Sequence, residues 1–111
     1  MKKPRYIFEN VICTNIVDGD TADIKIDFGF KLEQVIRIRL NRINTPEVRG
    51  KEREEGLRAK RYVNDRIYGK RVRIETSKKG KYGRYLAEVY INGRNLNDEL
   101  VKKGFAEYRN Y

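Results

Sequence analysis

Residues 18–46 read DGDTADIKIDFGFKLEQVIRIRLNRINTP, and their periodicity decides the fold. In the first half Ala22, Ile24, Ile26 and Phe28 alternate with Asp23, Lys25 and Asp27, the period of two that marks a half-buried strand. Beyond a loop near Gly29, Ile36, Ile38 and Leu40 share one face of Val35–Leu40, so Arg37 and Arg39 project from the opposite face. Upstream, Asp18-Gly19 is a tight-turn signal that closes a hairpin onto a β-rich run from about Tyr6 to Val17. Downstream, Thr45-Pro46 ends the strand pattern, because the residue before a proline is pushed away from helical geometry.

Working outward, a charged helix is predicted from approximately Lys51 to Tyr68, with Ala59, Val63 and Ile67 at four-residue spacing and Gly69 as its C-terminal cap. Val72 and Ile74 mark a fourth strand, Gly80 and Gly83 loosen a basic loop, and Leu86–Ile91 gives a fifth strand before the turn dipeptide Asn92-Gly93. Asn95 with Asp98 three residues later resembles a capping box that opens a short helix ended by Gly104. Five short strands, with one helix after the third and another near the end, predict a β-rich α+β fold. The expected architecture is a five-stranded Greek-key barrel of the OB type with two packed helices. No repeat, low-complexity tract or Pro/Gly/Ser linker interrupts the chain, so residues 1–111 read as one domain.

Composition then bounds the chemistry. The chain holds 26 Lys+Arg against 16 Asp+Glu, a net charge of +10, with no histidine and one cysteine, Cys13. That excludes Ser-His-Asp and Cys-His nucleophile pairs, imidazole bases, two-His zinc sites, disulfide frameworks and CxxC pairs. Reactivity must come from carboxylates, hydroxyls, arginines, lysines, tyrosines or a hard metal held by oxygen. No run of about 18 apolar residues exists to span a membrane, and the basic opening MKKPRYIFEN has no apolar stretch behind it. A cytoplasmic protein with a free, buried Cys13 is expected, without a membrane partner and monomeric. The excess charge is local: residues 49–84 carry 14 basic and 5 acidic groups, whereas 1–48 carry 8 and 7 and 85–111 carry 4 and 4. Such clustering favours a polyanionic partner, DNA or RNA, over a merely solvated helix face. A third reading makes residues 51–68 a basic amphipathic helix on an anionic membrane.

Four pieces carry candidate chemistry. Asp18-Gly19-Asp20-Thr21 can aim two carboxylates into one small space suited to a hard cation, although an Asp-Gly hairpin turn is by itself usually only a turn. Asn44-Thr45-Pro46-Glu47 gathers an amide oxygen, a hydroxyl, a backbone carbonyl and a carboxylate at a kink, or simply opens the next helix with Glu47 near its N-terminus. Arg39 faces away from the core, as many exposed strand arginines do. Lys81-Tyr82-Gly83-Arg84-Tyr85 interleaves basic and aromatic groups suited to phosphate contact and base stacking, or is a surface loop without function.

In the order DGDT, RIRLNRINTPE, charged helix, KYGRYLA and NGRNLNDELVKKGFA, from about Val17 to Ala106, the chain resembles the staphylococcal nuclease-like (thermonuclease) family. Each motif is weak singly; the joint order and spacing are specific. The resemblance implies a five-stranded OB barrel that cuts DNA or RNA with Ca²⁺. It implies metal binding by Asp20, by Thr45 through its backbone carbonyl, and at the position of Asn44. Glu47 would orient or deprotonate the attacking water, Arg39 and Arg84 would grip the scissile phosphate, and Lys81 and Tyr82 would hold a terminal phosphate and nucleotide.

That assignment suits phosphodiester chemistry, because a cation and two guanidinium forks neutralise charge that builds on the phosphate oxygens. A carboxylate can then serve as the base without histidine. Asn44 departs from the pattern: it stands where the family usually has a second metal-binding aspartate. One negative charge is lost, which implies weaker Ca²⁺ binding and reduced activity, with Asp18 and Asp23 as candidate compensators. Longer members continue into a third helix, and Tyr108 or Tyr111 approximates a tyrosine that packs on the nucleotide. The competing reading is a catalytically impaired OB-type nucleic-acid-binding or interaction module. Retention of Arg39, Glu47 and Arg84 favours the calcium-dependent nuclease.

Overall fold

The computed structural model of the chain describes residues 6–79 and 85–110. Three long strands, β1 (Tyr6–Asp18), β2 (Thr21–Gly29) and β3 (Leu32–Leu40), lead into the two-residue β4 (Ile43–Asn44). A 3₁₀ turn at Gly50–Glu52 and helix α1 (Arg53–Ile67) follow, then β5 (Arg71–Lys79) and β6 (Tyr85–Ile91). The described chain closes with β7 (Arg94–Asn95), α2 (Leu96–Lys102) and β8 (Glu107–Tyr108). The five long strands pair antiparallel in the order β3-β2-β1-β5-β6. A parallel seam between β3 and β6, with Ile38 opposite Tyr85, Arg39 opposite Leu86 and Leu40 opposite Ala87, closes the sheet on itself. The result is the expected OB-type barrel with two helices, whose closure leaves no long edge unpaired at the seam.

The alternation read from the sequence fills this barrel. Val11, Ile24, Ile38, Leu40, Ile74 and Val89 point inward and are fully buried. α1 adds Ala59, Val63 and Ile67, the four-residue stripe, and α2 adds Leu96 and Leu100. α1 commits its apolar face to the barrel, and among the described residues no helix is long and apolar enough to cross a membrane. Phe28 departs from its expected place: it is 46% exposed. The β1–β2 pairing extends only as far as Val11–Ile26, so the hairpin beyond Ile26 outruns the barrel and Phe28 rests edge-to-face on Phe8, 5.8 Å between ring centroids.

Turn chemistry sets the connections. Gly69 (φ +72°) follows α1 in the left-handed conformation and donates its N–H to the Cys13 carbonyl at 2.9 Å, tying the helix end to β1. Cys13 is free and buried, and burial pushes its thiol pKa up. Asn92 and Gly93, both at positive φ, make the expected tight turn between β6 and β7. The start of α1 is later than expected, since Lys51 and Glu52 belong to the 3₁₀ turn. The capping box at α2 is half formed. Asn95 Oδ1 accepts from the Asp98 N–H at 2.9 Å, but the Asp98 carboxylate turns instead to Arg42 and the Tyr108 hydroxyl.

One polar side chain is embedded in this apolar interior. Asn97 on α2, with no exposed surface, accepts from Val89 N–H at 3.2 Å and donates to the carbonyls of Asn41 at 2.9 Å and Ala87 at 3.0 Å. It therefore sutures α2 to β6 and to the turn after β3. Asn97→Ala is expected to lower stability by about 3 kcal/mol, because the Val89 N–H and the Asn41 carbonyl lose this partner and the Ala87 carbonyl is left with the Asn41 N–H alone. A urea midpoint shifted by less than 0.5 M would sink this estimate, taking an m-value of about 1–3 kcal/mol/M for a small protein.

Candidate active site

The DGDT turn, the last residues of β3 and the kink after β4 converge. Asp20 sits in the turn between β1 and β2 and is only 5% exposed. A register irregularity in β1 between Ile16 and Asp18 precedes the turn, the kind of bulge that re-aims side chains beside functional sites. Asp20 Oδ1 accepts from the Thr21 hydroxyl at 3.1 Å, and Oδ2 accepts from the Thr45 backbone N–H at 3.1 Å. Arg39 completes the group: its Nη1 lies 2.8 Å from Asp20 Oδ2, and its Nη2 donates to Asn44 Oδ1 at 3.0 Å.

Two arginines that leave β3 on the same side thus have different fates. The Arg37 side chain is 51% exposed and forks onto Asp23, whereas the Arg39 side chain is 14% exposed and held by the site. Asp23 is occupied by Arg37 and Asn15, and the guanidinium beside it holds its carboxyl below the usual range. A cation drawn to Asp23 would have to compete with Arg37. Asp18 is different. Burial and the neighbouring charges of Asp20 and then Glu47 push its pKa up, against Lys60 and Arg49. Three carboxylates, Asp18, Asp20 and Glu47, therefore share one electrostatic neighbourhood. Glu47 itself is exposed, with its backbone N–H donating to Glu52 Oε1 at 3.1 Å.

α1 is the platform under these segments. A Cβ at Gly19 would come 2.8 Å from Ala59 Cβ and 3.0 Å from Thr45 Cγ2, so the Asp-Gly turn, the Thr45 kink and α1 meet at a point that only glycine fits. Gly56, one turn earlier, lies against the Glu47 backbone. A second brace comes from Arg42, which stands at φ +69° between β3 and β4. Its guanidinium forks onto Glu88 at 2.9 and 2.7 Å and reaches Asp98 at 2.9 Å. β4 then pairs with β8, Asn44 opposite Glu107 and Ile43 opposite Tyr108. Tyr108, a candidate for nucleotide packing, lies against Arg42 with its hydroxyl on Asp98. Arg42, Asn97, Gly56 and Ala59 were not singled out in the sequence as supports of the site; a glycine inside a helical pattern was the available signal for Gly56.

The donor set suits a hard cation: every candidate ligand is an oxygen, and Thr45 Oγ1 is buried with no hydrogen-bond partner. Among the described residues no three carboxylate, imidazole or thiol groups form a ready-made metal cluster. Arg84, Lys81 and Tyr82 lie outside the described residues, as does Tyr111.

Comparison with known proteins places the chain among nuclease relatives. A family model described as staphylococcal nuclease homologue matches residues 37–111. An uncharacterized endonuclease of Haemophilus influenzae is 37% identical over 97 residues, covering 86% of this chain and 51% of that protein. A thermonuclease of Staphylococcus intermedius is 32% identical over 108 residues, covering 93% of this chain and 61% of its own length. Protein ParB of Escherichia coli is 31% identical over 100 residues, covering 82% of this chain and 52% of its own length. The chain thus spans between half and two thirds of these relatives. Since the family model matches residues 37–111, more than half of its length, the chain belongs to the staphylococcal nuclease homologue family.

Proposed function

We propose that the chain hydrolyses phosphodiester bonds of DNA or RNA with the help of Ca²⁺ held by Asp20, Asn44 and Thr45. The observation that carries this reading is the convergence of Asp20, Arg39, Asn44 and Thr45, from three separate segments, into one hydrogen-bonded group in which Asp20 and Thr45 are buried and Arg39 and Asn44 partly so. A bound cation would supply charge neutralisation at the phosphate and acidify water. The residues of the chain do the rest. Asp20 is held in place by the Thr21 hydroxyl and the Thr45 N–H, so its carboxylate keeps one orientation in the site. Arg39 brings a planar fork matched to two phosphate oxygens, and Arg84 a second one. Glu47, exposed and anchored through its backbone to Glu52, accepts the proton of the attacking water. The basic excess of residues 49–84 gathers the polyanion and makes binding weaken as salt rises.

A second reading, a nucleic-acid-binding module with impaired turnover, is favoured by one observation: the neutral Asn44 already shares its amide oxygen with Arg39. Incubation with single-stranded DNA, with millimolar Ca²⁺ or with a chelator, separates the two. Cleavage that needs Ca²⁺ is expected for the wild type. Asn44→Asp is expected to bind Ca²⁺ about tenfold tighter, since affinity follows the number of charged ligands. Salt-sensitive binding without cleavage in either protein would leave the module reading standing and remove hydrolysis.

A further inference from the structure

We infer that Arg39 is the resident counter-ion of the Asp20–Asn44 pair and exchanges with a divalent cation, so that cation binding releases its guanidinium toward phosphate. This deepens, and rests on, the reading of the site as metal- and phosphate-binding. A carboxylate oxygen offers two lone-pair directions. On Asp20 Oδ2 they are taken by the Thr45 N–H at 3.1 Å and Arg39 Nη1 at 2.8 Å. The amide oxygen of Asn44 accepts from the other prong, Arg39 Nη2, at 3.0 Å. One guanidinium therefore bridges two of the three groups that would ligate the ion.

Ca²⁺ takes such oxygens at about 2.3–2.6 Å, closer than a hydrogen-bonding nitrogen, and both ligands cannot be shared with the fork in place. Exposure adds force to the exclusion. The side chains of Arg39 and Asp20 are 14% and 7% exposed, so two like charges held on the same oxygens would be poorly screened. Thr45 Oγ1, which faces Gly19, is buried and without a hydrogen-bond partner. Arg39 then has two roles: it neutralises Asp20 when no cation is bound, and it grips phosphate when one is. Nucleic-acid affinity and cation affinity become reciprocal, as linkage requires.

Calorimetric titration with Ca²⁺ at fixed ionic strength tests this on the full chain, on Arg39→Gln and on Arg37→Gln. Arg37→Gln removes the same charge from the same strand but leaves Asp20 and Asn44 untouched. Arg39→Gln is expected to bind Ca²⁺ at least tenfold tighter than wild type, and Arg37→Gln to stay within twofold. Equal gains in the two variants, or no gain in Arg39→Gln, would overturn the exchange. A second readout needs no variant: in ¹⁵N-arginine spectra of the wild type, the Arg39 side-chain signal is expected to move as Ca²⁺ saturates the site. A signal that stays in place at saturation would overturn it as well. Exchange without cleavage of DNA retains this inference and removes hydrolysis, whereas Ca²⁺-dependent cleavage with a stationary Arg39 signal does the reverse.

Discussion

Gly56→Ala is expected to destabilise the chain by about 3 kcal/mol, opposite in sign to what helix propensity alone would give. Inside a helix, alanine is normally better than glycine by about 1 kcal/mol. Gly56 lies within α1, but its missing side chain is where the chain segment leaving the Thr45-Pro46 kink crosses the helix. A Cβ there would fall well inside the Glu47 carbonyl and 2.8 Å from the Val48 nitrogen. Those are backbone atoms, which cannot rotate aside like the end of a flexible side chain. Relief requires α1 and the Glu47 segment to separate, with loss of the apolar contact that α1 makes through Ala59 and Val63. The clash term exceeds the propensity term. Urea unfolding checks it, and a midpoint equal to or above that of wild type would show that the crossing relaxes freely. Cleavage by any folded fraction is expected to drop too, because the displaced backbone belongs to Glu47.

Glu47→Gln is expected to lower the rate of DNA cleavage by about a thousandfold, within the range of roughly 10²–10⁴ that a positioned general base contributes. The substitution keeps shape and hydrogen-bonding reach while removing proton-accepting capacity. Glu47 is exposed, so the fold is expected to be indifferent to the change, with thermal unfolding within a few degrees of wild type. DNA affinity is expected to stay equal or rise, since the substitution removes one negative charge from the protein surface. A variant that cuts at the wild-type rate would assign the proton to another group. A variant that loses DNA affinity in step with activity would make Glu47 a binding residue.

Local periodicity disclosed most of the barrel. The alternation from Ala22 to Ile26 and from Ile36 to Leu40, the stripe Ala59–Val63–Ile67 and the turn residues Gly69, Asn92 and Gly93 each act within a few residues, and the structure places them as read. Phe28 was misplaced because alternation tells which face a residue joins but not where the neighbouring strand stops. Asp20, Arg39, Asn44 and Thr45 were legible as candidates because their motifs stand in a recognisable order. Their mutual bonds were not, since whether Arg39 meets solvent or Asp20 depends on how the β1–β2 turn, β3 and the kink after β4 are brought together. Arg42 and Asn97 stayed invisible for the same reason. Nothing within their own helix or turn marks a side chain whose partners lie on other elements, up to 46 residues away for the Arg42–Glu88 pair and 56 for Asn97 and Asn41.

The parallel seam that joins residues 38–40 to residues 85–87 bears on the order of assembly. Hairpins such as β1–β2 form from neighbours in sequence, but the seam must wait for the intervening helix and β5 to find their places, the slow kind of event that high contact order entails. Arg39 lies on that seam, and Arg84 precedes Tyr85, the residue facing Ile38. Because β3 pairs with β2 on one side and with β6 on the other, the strand end that carries Arg39 is fixed by one local and one distant contact, and loosening the seam is expected to loosen the candidate site with it.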